Sequence, residues 1–343
     1  MEKRRRYPWV DLLKATGILA VVWIHVFDGL DEDKTLLVER LGILSRFAVP
    51  AFFLTSGFLQ ATSERIGPRA FFSRQLERLL VPYLVASVAA ILFRWFILGE
   101  SFSTKTLLWM ITMGDAWGIY YFVPLLIVTA GVGEFLFRFP RLAWSMWIGL
   151  TVLGILAYQL HFFAGSFAME LRNPLRWWGW FCGGWLLVVE RGRIDALGRS
   201  GRLAFGGTLL GLAVCCYASL ILFFEPGWSR SAATLEYLMV EGLLMGVALV
   251  AWEGSTRPGV QWLSEASYPI YLQHYFFIVT LERLAGWGHQ PLAVLLVTIA
   301  VNVTSVITLS QLFGPRARLL FGTPKDRPAN STSASVGHVK RGC

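Results

Sequence analysis

The feature that most constrains this chain is a succession of about ten long apolar stretches separated by short polar gaps. Each stretch approaches the roughly 20 residues that an α-helix needs to cross a bilayer. Of the 343 residues, 55% are hydrophobic and only 15% are charged, whereas charged residues make up about a quarter of an ordinary soluble domain. The sequence therefore predicts an all-α, polytopic membrane protein, a bundle of about ten transmembrane helices.

The expected spans follow directly from the apolar stretches. They are 8–28, 41–61, 79–98, 117–137, 142–161, 174–190, 203–224, 233–252, 266–285 and 291–313. No polar gap is long enough for a second domain, so we expect one helical domain over residues 1–322. Residues 323–343 are polar and rich in small side chains, and we expect a disordered tail there. Residues 101–113 are too short to cross comfortably and predict an interfacial helix.

The distribution of basic residues predicts the orientation of the chain. A formal net charge of +9 could suit nucleic-acid binding, but the basic residues concentrate in alternate loops, such as "EKRRR" and "ERGRIDALGRSGR". Because positive charge is retained on the cytoplasmic side, we expect both termini in the cytoplasm and a multi-pass protein of the cytoplasmic (inner) membrane. The basic excess can also attract anionic membrane lipids. We expect no nucleic-acid partner.

The first apolar stretch and the four cysteines exclude two other classes. The stretch is long, carries Asp11 and Lys14, and lacks a small-residue cleavage site, so it is not a cleavable signal. Three cysteines lie within predicted spans and Cys343 is terminal. This arrangement predicts neither a disulfide framework nor a metal site.

Two ionisable residues, Lys14 and His25, interrupt the first span. Eleven helical steps of about 100° return to within about 20° of the start, so both side chains project from one face, roughly 16 Å apart along the axis. Asp11 lies three residues before Lys14 and can pair with it. Ionisable groups inside membranes are commonly functional, and histidine suits proton transfer near neutral pH. The alternatives are that Lys14 snorkels to the cytoplasmic edge and that His25 is an interfacial residue.

The second span begins at Arg46 and contains Ser56 and Gly57, in "RFAVPAFFLTSGFL". A guanidinium beside an apolar run requires an acidic or phosphate partner. Arg46 can pair near the outer surface with Asp28 or Glu39, and the Ser-Gly pair can simply permit close helix packing.

Several segments, in order, resemble the membrane-bound acyltransferase 3 family, whose integral-membrane enzymes modify cell-envelope sugars in bacteria. They are "VDLLKATGILAVVWIHV", "RFAVPAFFLTSGFL", "RQLERLLVPYLV", "YYFVPLLIV", "WFCGGWLL" and "LSEASYPIYLQHYFFIV". The second and the last are the most specific, and the resemblance spans essentially the whole chain. Three features depart from the family pattern. Lys14 stands where most relatives have arginine, Gly118 and Ile119 stand where a histidine is often found, and we expect no soluble hydrolase-like domain of the kind that some relatives carry.

The resemblance implies an acyltransferase that moves an acyl group, here acetyl, from acetyl-coenzyme A to a hydroxyl of a glycan, a lipid-linked sugar or a similar acceptor. Acetyl-coenzyme A would be a co-substrate, and we expect no bound cofactor. Such transfer needs a base for the hydroxyl proton, a cradle for the donor phosphates and stabilisation of the oxyanion. We hypothesise that His25 is the base or a transient acyl carrier, with Lys14 and Asp11 shaping its cavity.

Three arginines near the third span, Arg69, Arg74 and Arg78, are candidates for binding the coenzyme phosphates. The alternative is that they only follow the positive-inside rule. Arg46 and Ser56 complete the candidate donor and substrate contacts in the first half of the chain.

The ninth span presents Tyr268, Tyr271 and His274 at intervals of three residues, beside Ser267, so one helical stripe carries two phenols and an imidazole. The resemblance makes these three residues candidates for substrate or donor binding. Tyrosines can instead anchor at the interface, and His274 can be a satisfied core histidine. Glu236 and Glu241 are possible counter-ions for Arg46 or Lys14.

Two other functions compete with acyl transfer. A transporter or flippase of a polar lipid or sugar would also need buried charges and prolines, but the sequence lacks the paired halves and matching broken helices of many transporters. A non-catalytic scaffold would not explain Lys14, Arg46 and His25 together.

Overall fold

The computed structural model describes residues 6–27, 36–63, 68–159, 171–223, 230–288 and 290–324. Every regular element within these ranges is helical, as the sequence predicts. The α-helices are α1 Pro8–Phe27, α2 Leu36–Ser45, α3 Ala48–Ala61, α4 Pro68–Gln75, α5 Val81–Phe96, α6 Thr104–Thr112, α7 Phe122–Leu136, α8 Ala143–Gln159, α9 Leu175–Val189, α10 Arg191–Ala196, α11 Gly198–Phe223, α12 Arg230–Val250, α13 Pro258–Val279, α14 Pro291–Phe313 and α15 Pro315–Phe321.

Within the described residues each of the ten predicted spans overlaps helical structure, and seven of the helical stretches are long and apolar enough to cross a membrane. These seven are Pro8–Phe27, Arg40–Ala61, Ala70–Phe96, Gly118–Leu136, Pro140–Ala157, Gly198–Phe223 and Pro291–Phe313. Helix α9 has only 15 residues, and α12 and α13 carry more polar side chains. The chain is therefore a polytopic helical membrane protein. The predicted spans 174–190, 233–252 and 266–285 are helical but are not among these seven stretches.

Two shorter predictions concern the segments outside the spans. Residues 101–113 contain the nine-residue helix α6, whose first turn is capped by Ser103, which accepts a hydrogen bond from the Thr106 amide at 3.1 Å. In the predicted tail, Thr323 is only 3% exposed, so packed structure extends past the predicted boundary at residue 322. Residues 325–343 lie outside the described residues.

Helix α1 lies at the centre of the bundle. Its sequence is apolar on almost every side, and a helix of that kind is buried rather than placed at a surface. It contacts α2, α3, α12, α13 and α14. Lys14 and His25 therefore project from the central helix of the protein.

The end at which α1 begins forms a basic face, defined here by Arg6, Arg78 and Arg191. Arg6 immediately precedes α1, and Arg191 donates a hydrogen bond to the Tyr7 hydroxyl at 3.1 Å. All three arginines come from segments that the sequence assigns to the cytoplasmic side. Helix α13 runs parallel to α1, from Glu265 near this face to His274 near the opposite end of α1.

Close contact between α3 and α9 depends on glycines. A Cβ atom on Gly57 would collide with the backbone carbonyl of Phe181, and one on Gly184 would collide with that of Leu54. Small residues allow two helix backbones to approach in this way. The packing interpretation of Gly57 is therefore confirmed.

A π-helical turn, Leu76–Leu80, joins α4 to α5. Pro82 follows it and lacks the amide hydrogen that a regular helix would direct to the carbonyl of Arg78. A π-helical turn holds an additional residue per turn and often occurs at functional sites. Here it changes the direction in which Glu77 and Arg78 project relative to α5.

Candidate functional site

A cavity of about 1270 Å³ reaches the surface at the basic face. Its walls come from α1, α3, α4, the π-helical turn, α7, α9, α13 and α15. Six predicted site residues line it, namely Lys14, Ser56, Arg74, Arg78, Tyr268 and Tyr271. The structure thus brings together residues from four separate sequence motifs.

Four cations line the cavity: Lys14, Arg74, Arg78 and Arg318. Lys14 makes no hydrogen bond or ion pair with any described residue. It interacts electrostatically, without direct contact, with Asp11, Arg78, Glu265 and Arg6. The cavity walls also carry the carboxylates of Glu77, Glu134 and Glu265. Arg6 Nη2 also lies 2.8 Å from Glu265 Oε1, and the four lining cations outnumber the three lining carboxylates.

The Asp11 carboxylate is bound by Arg6 instead of Lys14. Arg6 Nε lies 2.7 Å from Asp11 Oδ2, while Arg6 Nη2 lies 2.8 Å from Glu265 Oε1. Asp11 is only 5% exposed and is not among the cavity-lining residues. Arg6 reaches Asp11 from the turn before α1, whereas the Lys14 side chain points into the cavity. The Arg6 bridge therefore joins the start of α1 to α13 and leaves Lys14 available to a ligand.

Tyr268 and Tyr271 line the inner wall of the cavity, and each hydroxyl is hydrogen-bonded to another segment of the chain. The Tyr268 hydroxyl donates a hydrogen bond to the Leu79 carbonyl at 2.6 Å, which ties α13 to the π-helical turn. The Tyr271 hydroxyl donates to the Ile119 carbonyl. Each hydroxyl still has lone pairs that can accept a hydrogen bond from a ligand.

His25 and His274 form a pair of imidazoles, with ring centroids 5.4 Å apart. His274 Nδ1 lies 2.8 Å from the Tyr271 carbonyl oxygen and 3.2 Å from that of Ile270. Because a carbonyl oxygen can only accept, Nδ1 carries the proton and Nε2 has a free lone pair. Nε2 is buried and has no hydrogen-bond partner among the described residues. The sequence predicted the two histidines separately but not their contact.

Neither histidine lines the cavity. The Tyr271 ring separates the two regions, since it lies on the cavity wall and its centroid is 6.0 Å from that of His274. Lys14 and His25 lie on one face of α1, as the helical arithmetic predicts, since Lys14 lines the cavity with Tyr271 and His25 lies beside His274 of the same helix. The prediction of one cavity around both Lys14 and His25 is therefore wrong. Lys14 lines the basic cavity near one end of α1, whereas His25 belongs to the imidazole pair near the other end.

The remaining predicted residues lie elsewhere. Arg46 Nη1 lies 3.1 Å from Glu236 Oε2, with the Arg46 side chain 39% exposed and outside the cavity lining. Glu236 is therefore a counter-ion of Arg46, as its spacing allowed. Glu241 instead accepts a hydrogen bond from Trp147 Nε1 at 3.2 Å. Arg69 belongs to α4, and its side chain lies outside the described residues.

Arg318 is the cavity-lining cation that the sequence analysis missed. It lies in "FGPRARLLF", where a Gly-Pro pair ends the last span and arginines follow. That basic segment is the signal that could have directed attention to it. The described residues contain no cluster of three His, Cys, Asp or Glu side chains suited to a metal ion.

Comparison with known protein families gives a match over most of the chain. A family model described as an acyltransferase domain matches residues 7–310, which include every predicted site residue but not Arg318. No curated protein and no solved structure matches the chain.

Proposed function

Because the chain belongs to the acyltransferase 3 family, we propose that it is an integral-membrane O-acyltransferase that moves an acetyl group from acetyl-coenzyme A to a hydroxyl of a cell-envelope carbohydrate. Family membership indicates acyltransferase activity. The donor, the acceptor and the location in the cytoplasmic membrane, with both termini cytoplasmic, belong to the proposal.

The observation that carries the donor assignment is the basic cavity. Coenzyme A bears several phosphates, and charge-assisted hydrogen bonds from arginine and lysine are the usual way to bind them. Lys14, Arg74 and Arg78 line one cavity of about 1270 Å³, which is large enough for a ligand of cofactor size. The cavity reaches the surface at the basic face, where the charge distribution predicts the cytoplasm and its acyl thioesters.

The imidazole pair supports the catalytic assignment. His25 would remove the proton of the acceptor hydroxyl, whose oxygen attacks the thioester carbonyl, and the carbon–sulfur bond breaks as the coenzyme leaves as a thiol. As an acyl carrier, His25 would first take the acetyl group from sulfur and then pass it to the hydroxyl. The long arm of coenzyme A suits either route, because the cations and His25 lie near opposite ends of α1.

Acetyl transfer can be tested directly in membranes. Membranes containing the protein are incubated with acetyl-coenzyme A labelled in the acetyl group, and the label is followed into protein, lipid and glycan fractions. We expect incorporation with the wild-type chain and none with His25→Ala, provided that the variant inserts at the same level. Leu19→Ala, which alters an exposed residue of the same helix, should retain activity.

The same experiment separates the enzyme from the rival transporter. Incorporation that does not depend on His25 would contradict the catalytic assignment. Absence of label from every acyl thioester tested would favour transport of a polar lipid or sugar. The acceptor class is checked by comparing the acetyl content of envelope glycans, measured by mass, from cells with and without the protein.

A further inference from the structure

The C-terminal helix α15 belongs to the wall of the basic cavity, although it lies beyond the matched residues 7–310. Six residues of this end of the chain line the cavity, namely Pro315, Arg318, Leu319, Gly322, Thr323 and Pro324. Helix α15 packs against α5, its preceding π-helical turn and α14. A segment outside the family's matched range therefore completes the candidate donor site.

Gly322 fixes this segment against the predicted site. Its φ of +70° lies in the left-handed region that favours glycine. A Cβ atom on Gly322 would approach the Tyr268 ring to 2.8 Å, and Thr323, the next residue, is buried. Tyr268 thus contacts the C-terminal segment with its ring while its hydroxyl binds the π-helical turn. The position of α15 is set by close packing at the site itself.

Arg318 is the residue of α15 with the chemistry to bind a donor. Its side chain makes no hydrogen bond or ion pair within the part of the chain that the structure describes, and it lines the same cavity as Arg78 and Arg74. Helix α15 contacts the π-helical turn that carries Arg78, so two guanidinium groups face the cavity from adjoining elements. A planar guanidinium can bind two phosphate oxygens at once.

From this placement we infer that Arg318 is a phosphate-binding residue for the acyl donor, acting with Arg74 and Arg78. The inference rests on the proposed function and specifies one part of its donor site. Glu134 of α7, which also lines the cavity, would repel phosphate, so the phosphates should lie at the arginines of α4, the π-helical turn and α15, where Glu77 is outnumbered by Arg74, Arg78 and Arg318.

Helix α15 offers a matched control for the test. Arg316 lies two residues before Arg318 and is exposed, but it does not line the cavity. The full-length variants Arg318→Gln and Arg316→Gln therefore remove the same charge from the same helix. Each is placed in phosphatidylcholine nanodiscs, and coenzyme A binding is measured by calorimetry. Transfer rates are then measured with acetyl-coenzyme A and with S-acetyl-N-acetylcysteamine, a thioester that lacks phosphate.

We expect Arg318→Gln to weaken coenzyme A binding and to raise KM for acetyl-coenzyme A about five- to tenfold, the size of one partly screened charge-assisted contact. Rates with the phosphate-free donor should stay within about twofold of wild type, because no transition-state contact is lost. Arg316→Gln should match wild type in every measurement.

Four results would overturn the inference. Unchanged coenzyme A affinity in Arg318→Gln would exclude a phosphate contact while leaving the proposed function intact. An equal loss with both donors would indicate damage to the fold. Adding phosphatidylglycerol to the nanodiscs tests whether the bound phosphate belongs to a lipid. If phosphatidylglycerol competes with coenzyme A in wild type but not in Arg318→Gln, and the variant binds coenzyme A normally in phosphatidylcholine, Arg318 binds lipid phosphate instead. Failure of wild type to bind coenzyme A would instead refute the donor of the proposed function, and the inference with it.

Discussion

The imidazole of His274 lies beside that of His25, with 5.4 Å between the ring centroids. The two residues belong to the parallel helices α1 and α13, and the proton on His274 Nδ1 is held by backbone carbonyls. The lone pair of His274 Nε2 is therefore available in a buried position. This arrangement gives the proposed base a second imidazole that can orient it or accept its proton.

His274→Asn should separate the role of Nε2 from that of Nδ1. An asparagine within a helix can donate to the carbonyl four residues earlier, as Asn302 does to Thr298 at 2.8 Å. The variant should therefore keep the backbone hydrogen bond and lose only Nε2. We expect kcat to fall about tenfold or more, with coenzyme A affinity and thermal stability unchanged. Full activity in His274→Asn would show that the imidazole has only a structural role.

Lys14→Met should weaken donor binding, whereas Lys14→Arg should preserve it. Lys14 lines the cavity and makes no ion pair with the described residues, so its charge is available to a phosphate. We expect KM for acetyl-coenzyme A to rise about tenfold in Lys14→Met, and the dependence of KM on salt to become weaker than in wild type. The initial rates are measured over a range of ionic strengths. Equal KM values in wild type and Lys14→Met would favour simple snorkelling of Lys14 to the membrane edge.

Gly57→Ala and Gly184→Ala should destabilise the bundle. In both cases the new Cβ atom would meet a backbone carbonyl of the facing helix, which cannot move without separating α3 from α9. We expect a loss of about 1–3 kcal/mol or more in the free energy of unfolding, seen as a lower melting temperature in detergent. Gly211→Ala is the control, because nothing lies within 4 Å of its added Cβ and alanine favours the helix. Equal melting temperatures for all three variants would contradict the close α3–α9 contact.

Arg46→Gln should leave donor binding unchanged. Arg46 is paired with Glu236, is 39% exposed and lies outside the cavity lining. A partly exposed ion pair contributes about 1 kcal/mol or less, so the effect on melting temperature should be small and should largely disappear when Glu236→Gln is already present. A large increase in KM for acetyl-coenzyme A in Arg46→Gln would show that Arg46 contributes to donor binding. The double-mutant cycle and the kinetic constant are independent measurements.

Hydropathy and helical periodicity predicted the features that depend on one helix at a time. The common direction of Lys14 and His25 follows from their spacing because α1 is regular over Pro8–Phe27. The same reasoning placed Tyr268, Tyr271 and His274 on one stripe of α13. In each case the local backbone geometry was sufficient.

Features that depend on the packing between helices could not be predicted in this way. The contact of His25 with His274 requires the register of α1 against α13, which local periodicity does not determine. The ion pair of Asp11 with Arg6 joins α1 to a residue that precedes it, so the periodicity of α1 alone could not predict it. Arg318 belongs to a seven-residue helix after the last span, too short to give a hydropathy signal. Relations of this kind appear only when the helices are assembled.

The π-helical turn at Leu76–Leu80 is a point at which the chain can lose one residue while α4 and α5 keep their relative phase. Deleting a single residue there would restore ordinary α-helical spacing and leave Arg74 nearly where it is, because the turn holds one additional residue. Only the side chains within the turn, Arg78 among them, would be redirected, and the apolar length of the span would hardly change. A deletion of one residue at this point would therefore let ligand preference diverge among related chains without altering their membrane topology.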